Sequence, residues 1–257
     1  MDNRYVLWLR VALWLGLLMD WGLSLPAVFA PQWLLALLGG RVSADPVWTA
    51  FAAQLLFLVS LFFIPGALRP RRHRFSAGFA VLARLPVAGF FLLLHPAQYP
   101  LLGILHGVLF VVQLPLLLLA MGGHPGSTDT LPTTAPREHA ARWLGRSLWL
   151  GIIVNGLLAV PAVLFPVQVL ALLGLRPSSD PLWTAAAALA LVFLSIGYVP
   201  GAHRPRQYRY NAWLAVFARV PGVWFFLVLW TGFYPLFGVL DGVLFLLQIT
   251  FLIRAMR

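Results

Sequence analysis

Among the polar side chains inside otherwise apolar runs of this sequence, eight stand out: Asp20, Arg84, His106, Gln113, Asn155, Arg219, Asp241 and Gln248. A charged group at the centre of a bilayer costs about 2.5–3.5 kcal/mol on insertion scales, so such residues face partners, water or a ligand. Two chemistries suit two arginines in this setting. Each guanidinium could hold an anionic or quinone-type headgroup, or each could fasten a kinked helix to a carboxylate and a glutamine. The presence of an arginine at the matching place in both halves favours the fastening role, since a single asymmetric site would not need two.

Other chemistries find less support. A membrane b-type haem takes two imidazoles at matching depth on facing helices, and His106 has no evident counterpart. His95 sits at the outer edge beside Pro96, while His73, His124, His139 and His203 fall in turns or a linker. We find no GxGxxG after a strand, P-loop, HExxH, nucleophile elbow or carboxylate cluster suited to a di-metal centre. With no cysteine, disulfides and thiolate sites are excluded. No catalytic residue, metal site or cofactor is identified from these patterns, although a lipid or quinone remains a candidate ligand.

The elements that position these residues come from a repeat. A shift of 135 positions aligns the chain with itself, and 36 of 69 residues are identical between Asp45–Gln113 and Asp180–Gln248. Within it, Ile64–Pro86, IPGALRPRRHRFSAGFAVLARLP, returns at Val199–Pro221 as VPGAHRPRQYRYNAWLAVFARVP. We read this as a tandem duplication. The same shift equates Asp20 with Asn155 and His106 with Asp241. Each half therefore keeps one carboxylate in that layer, but on a different helix. Such a swap implies one charge partner per half, most simply the local arginine; Asp20–His106 and Asn155–Asp241 hydrogen bonds are a second arrangement.

Composition sets the solvent. Of 257 residues, 61% are hydrophobic and 10% charged, with a mean hydropathy of +0.88. Soluble domains carry about a quarter charged residues, so this is the make-up of a membrane protein. Eight apolar runs follow: Tyr5–Phe29, Val47–Ile64, Phe75–His95 and Tyr99–Met121, then Trp143–Leu164, Leu182–Val199, Tyr210–Trp230 and Tyr234–Ile253. The amino-terminal run resembles a signal peptide, but Asp20 interrupts it, Pro31 follows it, and it recurs internally, so it is read as the first membrane helix. The expected fold is all-α, with eight transmembrane helices in two parallel four-helix repeats. Residues 1–121 form the first, 122–141 a Gly/Pro/Ser/Thr-rich cytoplasmic linker, and 142–257 the second.

The formal charge of +11 reads as topology rather than nucleic-acid binding. Arg4, Arg10, Arg69, Arg71, Arg72, Arg74, Arg137, Arg142, Arg146, Arg204, Arg206, Arg209, Arg254 and Arg257 all fall on one side of this arrangement. Only Arg41 and Arg176 fall on the other, offset by Asp45 and Asp180. The positive-inside rule then puts both termini in the cytoplasm, with a bacterial inner membrane as the expected location. Short proline-opened, glycine-closed stretches, Pro31–Gly40 and Pro166–Gly174, are expected to lie at the outer interface. Trp48, Tyr99, Trp183 and Tyr234 fall where an aromatic belt is expected. Asp45 and Asp180, each before a proline, read as acidic N-caps.

Helical rise puts Arg84 and Arg219 roughly 14 Å inside the cytoplasmic boundary, level with Gln113 and Gln248, and the carboxylate layer roughly 10 Å below the outer one. Pro86 and Pro221 should each free the carbonyl one turn earlier, at Leu82 and Phe217, which a nearby arginine could satisfy.

With four helices per half and a basic turn between the second and third, each half resembles the DoxX/MauE-like group of small membrane proteins. The resemblance implies an accessory role beside a quinone-reducing or amine-oxidising system, although this chain is duplicated and lacks cysteine. The function expected is a non-catalytic membrane subunit that anchors or scaffolds a larger assembly, with membrane lipids and other membrane-protein subunits as partners. A small-solute transporter with its site between parallel repeats is the alternative, and would need a watery cavity lined by Asp20, His106, Asn155 and Asp241.

Overall fold

The computed structural model describes residues 3–39, 43, 45–96, 98–121, 135–176, 178–231 and 234–256. Every regular element among them is helical. Among the described residues seven helical runs, counting the bent Arg74–Leu94 and Arg209–Leu229 as one each, are long and apolar enough to cross a membrane, as expected of a helical integral membrane protein. Arg41, Arg257 and most of the proposed linker, residues 122–134, lie outside the described residues.

By internal contacts the chain divides into two compact units, Met1–Ser127 with Leu182–Ala190, and Thr128–Pro181 with Leu191–Arg257. In the first unit α1 (Asn3–Phe29) packs against α3 (Pro46–Leu61) and α7 (Pro100–Met121). Short helix α2 (Pro31–Leu37) follows α1 directly, and α4 (Ile64–Leu68) leads through the arginine turn into α5 (Arg74–Leu82) and α6 (Arg84–Gly89). In the second unit α8 (Ala135–Leu164), α11 (Arg209–Phe217) and α12 (Arg219–Trp224) pack on α13 (Pro235–Met256). Helices α9 (Pro166–Leu172) and α10 (Pro181–His203) complete the chain.

The third apolar run of each unit is bent twice, for a reason visible in its residues. Pro86 has no N–H to give the Leu82 carbonyl, and its ring crowds that turn. Accordingly α5 ends at Leu82 and α6 begins at Arg84, with Ala83 N–H held by the Phe79 carbonyl at 2.9 Å. Pro221 does the same to α11 and α12, where Ala218 N–H bonds the Leu214 carbonyl at 2.8 Å. Each run then widens into one π turn, Phe90–Leu94 or Phe225–Leu229, closed by His95 N–H to Phe90 O at 3.2 Å and Trp230 N–H to Phe225 O at 2.8 Å. The bends set the arginine between two helical segments, facing its own unit's first and last helices.

The second run differs between the units. From Pro46 to Leu68 the chain has the length of α10, 23 residues, yet it breaks at Phe62-Phe63. There the N–H groups bond three residues back, to Val59 at 3.0 Å and Ser60 at 2.9 Å. This leaves α3 with 16 helical residues, and α10 runs unbroken past its own Pro200. Asn211 Nδ2 donates to the Gly197 carbonyl at 3.2 Å in the second unit; the first unit has Ser76 and Phe62 at the equivalent positions.

Two expectations change here. Asp45 and Asp180 do occupy the N-cap positions, but neither side chain makes a capping hydrogen bond. Their ψ angles of 79° and 82° fall short of the β region typical of capping residues. Instead the Asp45 and Asp180 N–H groups are held by Ser43 Oγ at 3.2 Å and Ser178 Oγ at 3.1 Å. Nor do Trp48, Tyr99, Trp183 and Tyr234 face outward as a belt; all four are buried. Tyr99 packs its ring 5.2 Å from that of Trp183, and Tyr234 donates its hydroxyl to the Arg176 carbonyl at 3.2 Å. The short helices α2 and α9 end earlier than Gly40 and Gly174, and the turns after them use Gly39 and Gly174 at φ +69° and +66°, conformations that favour glycine.

Candidate polar site in each unit

In the first unit Arg84 reaches from the start of α6 to two helices at once. Its Nη1 and Nη2 donate to Asp20 Oδ1 and Oδ2 at 2.6 and 2.7 Å, a bidentate pair with α1. Nη1 also lies 3.0 Å from His106 Nδ1 on α7. Arginine has no acceptor, so Nδ1 accepts and the neutral imidazole carries its proton on Nε2. Asp20 is wholly enclosed and Arg84 only 3% exposed. The Phe63 ring sits 6.0 Å from the guanidinium carbon.

This close approach is possible because position 16 is glycine. A Cβ there would stand 2.7 Å from Arg84 Nη2, which would have to shift, and 3.0 Å from Gln113 Nε2, which would have to give by a few tenths of an ångström. Gln113 in turn donates to the α1 carbonyl of Ala12 at 2.8 Å. Among the described residues, Arg84 Nε and Gln113 Oε1 have no hydrogen-bond partner.

The second unit uses the same residue types in a different pattern. Arg219 donates through Nη1 to Asp241 Oδ1 at 2.8 Å and through Nε to Gln248 Oε1 at 2.9 Å, both on α13. Gln248 Nε2 donates to the α8 carbonyl of Ser147 at 3.0 Å. Asn155, where the first unit has Asp20, turns away and donates to Ser195 Oγ at 3.2 Å on α10. Tyr198 takes the place of Phe63, with its ring 6.0 Å from the Arg219 guanidinium carbon. Gly151 is the counterpart of Gly16, and a Cβ there would run into Arg219 Nη2.

All eight residues singled out by composition are therefore in or beside these two sets. The carboxylates go to the local arginines, and among the described residues neither an Asp20–His106 nor an Asn155–Asp241 hydrogen bond forms. The arginine side chains close the gap that helical rise alone left between the two layers. Backbone carbonyls are satisfied by the glutamines rather than by the arginines, and the carbonyls concerned belong to α1 and α8.

Sequence reasoning missed four participants: the paired glycines Gly16 and Gly151, and the hydroxyls of Ser60 and Ser195. Ser60 Oγ accepts from Trp21 Nε1 at 2.7 Å, joining α1 to α3. Both serines are retained under the 135-residue shift, and that signal could have found them.

The sets combine carboxylate, imidazole, amide and guanidinium groups. Among the described residues no group of three or more His, Asp or Glu is placed to hold a metal ion. Outside the spans, burial together with Arg72 and Arg69 pushes the His73 imidazole below its ordinary range, so this turn stays basic through its arginines. No protein-family model, curated protein or solved structure matches the chain.

Proposed function

We propose that the chain is a non-catalytic integral membrane subunit that anchors or scaffolds a larger membrane assembly. It would be a duplicated protein of eight crossings in two parallel halves, with both termini cytoplasmic. The observation carrying the reading is that each intramembrane arginine is tied to a carboxylate of its own unit. Such pairs hold helices together at depth and perform no turnover. Described links such as Arg69–His73 and Arg204–Tyr208 are too short to build an extramembrane active site.

Duplication is supported by the sequence identity and by element bounds that recur 135 residues apart, as in Arg74–Leu82 and Arg209–Phe217. The interrupted α3–α4 segment supplies the eighth crossing if its two pieces are counted as one run. An accessory place beside a quinone-linked redox enzyme agrees with the DoxX/MauE-like resemblance, and lipid or quinone is the ligand class that fits a polar point inside an oily bundle.

Affinity purification of the full chain in mild detergent tests this reading. Stoichiometric membrane partners are expected to co-elute, and a monodisperse chain eluting alone would refute the subunit role. A reporter fused after Arg257 should be cytoplasmic; labelling from outside would overturn the orientation.

A further inference from the structure

Each polar set leaves one guanidinium nitrogen without a partner among the described residues, Arg84 Nε and Arg219 Nη2, and the sets differ in which nitrogen that is and in how far the neighbouring carboxylate is exposed. Arg84 spends both terminal nitrogens on Asp20. Arg219 commits Nε and Nη1, but its Nη2 has no partner among the described residues, although the residue is only 2% exposed. A buried, charged N–H without an acceptor is expensive. Gly151 lets Nη2 lie close against α8, as Gly16 lets Arg84 Nη2 lie against α1. Asn155 offers its amide to Ser195 in place of the carboxylate that closes the first unit.

One edge of this set is also open. The Asp241 side chain is 28% exposed, against 0% for Asp20. Gly222, at the position of Val87, clears the space beside Asp241 Oδ2, which a Cβ would strike. A molecule that reaches this edge meets the Asp241 carboxylate with the guanidinium just inside it.

Charge decides what that molecule is. Arg219 is already balanced by Asp241, so a second anion would leave a net negative charge at membrane depth, where a lone charge is costly. A neutral oxygen acceptor satisfies Nη2 without that cost. We propose that the second unit binds the carbonyl oxygen of a neutral molecule with an apolar body at Arg219 Nη2, beside Asp241, and that the first unit, closed by Asp20, binds none. Quinone rings and acyl esters of neutral lipids share this chemistry. The inference rests on the ligand-binding part of the function proposed above and deepens it to one site per chain.

The test uses the full chain in dodecyl maltoside, a detergent without carbonyl groups. Tryptophan quenching by a decyl-substituted benzoquinone and native mass spectrometry with dioleoylglycerol report the two sources separately. At least one probe should saturate at one molecule per chain, and which one does so identifies the source.

The double variant Asn155→Asp/Asp241→His installs the first unit's side chains around Arg219 and should weaken binding about tenfold or more, as expected for one charge-assisted hydrogen bond. If that variant elutes aggregated, Arg219→Lys decides instead, because it keeps the charge facing Asp241 but removes Nη2. Wild-type affinity in the deciding variant, saturation at two equivalent molecules, or no binding of either probe to the wild type would overturn the proposal. Copurifying partners are a separate readout, so loss of the site and loss of the subunit role are distinguished.

Discussion

The carboxylate of the first unit can be moved, and the cost of each step follows from its contacts. Asp20→Asn leaves Arg84 enclosed, with His106 Nδ1 and an amide oxygen in place of two charged acceptors at 2.6 and 2.7 Å. Breaking a buried ion pair in this way costs about 3–5 kcal/mol. Asp241→Asn should cost less, about 1.5–3 kcal/mol, the value of one hydrogen bond to a charged group. Arg219 keeps its bond to Gln248 there, and the lost carboxylate was partly exposed.

The decisive variant adds His106→Asp to Asp20→Asn, which places the counter-charge on α7 where the second unit carries it on α13. Most of the loss should return, giving a favourable coupling of about 2 kcal/mol or more in the double-mutant cycle. Reversible unfolding by sodium dodecyl sulfate, followed by circular dichroism, measures all four proteins. Additive losses, or an Asp241→Asn variant that is the less stable of the two single asparagine variants, would refute the account of these sets as charge-balanced fasteners.

Four further outcomes follow from the same geometry. Arg84→Leu should lower expression and thermal stability more than any partner binding that survives, read by fluorescence-detected size exclusion; full stability with lost binding would reverse that order. Gly16→Val should cost at least as much as deleting the pair, about 3 kcal/mol or more, because it displaces both Arg84 and Gln113. Trp21→Phe should cost about 1 kcal/mol through the Ser60 bond, in the same unfolding assay. His73 should titrate below the ordinary imidazole range in an NMR pH series, and Arg72→Gln should move its midpoint upward by removing one nearby positive charge, while burial keeps it below the free value.

Much of this arrangement was legible in residue types. Apolar length located the long helices, and the exchange of Asp20 for Asn155 and of His106 for Asp241 pointed to one ion pair per unit. Pro86 and Pro221 placed the bends to within a turn. The remainder depends on backbone direction, which composition does not encode. Nothing in the apolar run distinguishes Phe62-Phe63, where α3 stops, from Gly197-Tyr198, where α10 continues. Whether an aspartate before proline caps its helix depends on ψ, and here Ser43 and Ser178 hold the N–H instead. Glycines at 16 and 151 look like ordinary helix glycines until the guanidinium against each is seen.

The tight pairing of Arg84 with Asp20 has an electrical consequence. A potential of 100 mV across a bilayer does about 2.3 kcal/mol of work on each elementary charge that traverses it. Here the opposite charges are locked 2.6 Å apart, less than about a tenth of a 30 Å hydrocarbon layer, so the field pulls on them in opposite senses and its net work nearly vanishes. The first unit can therefore sit in an energised membrane without being driven by its voltage.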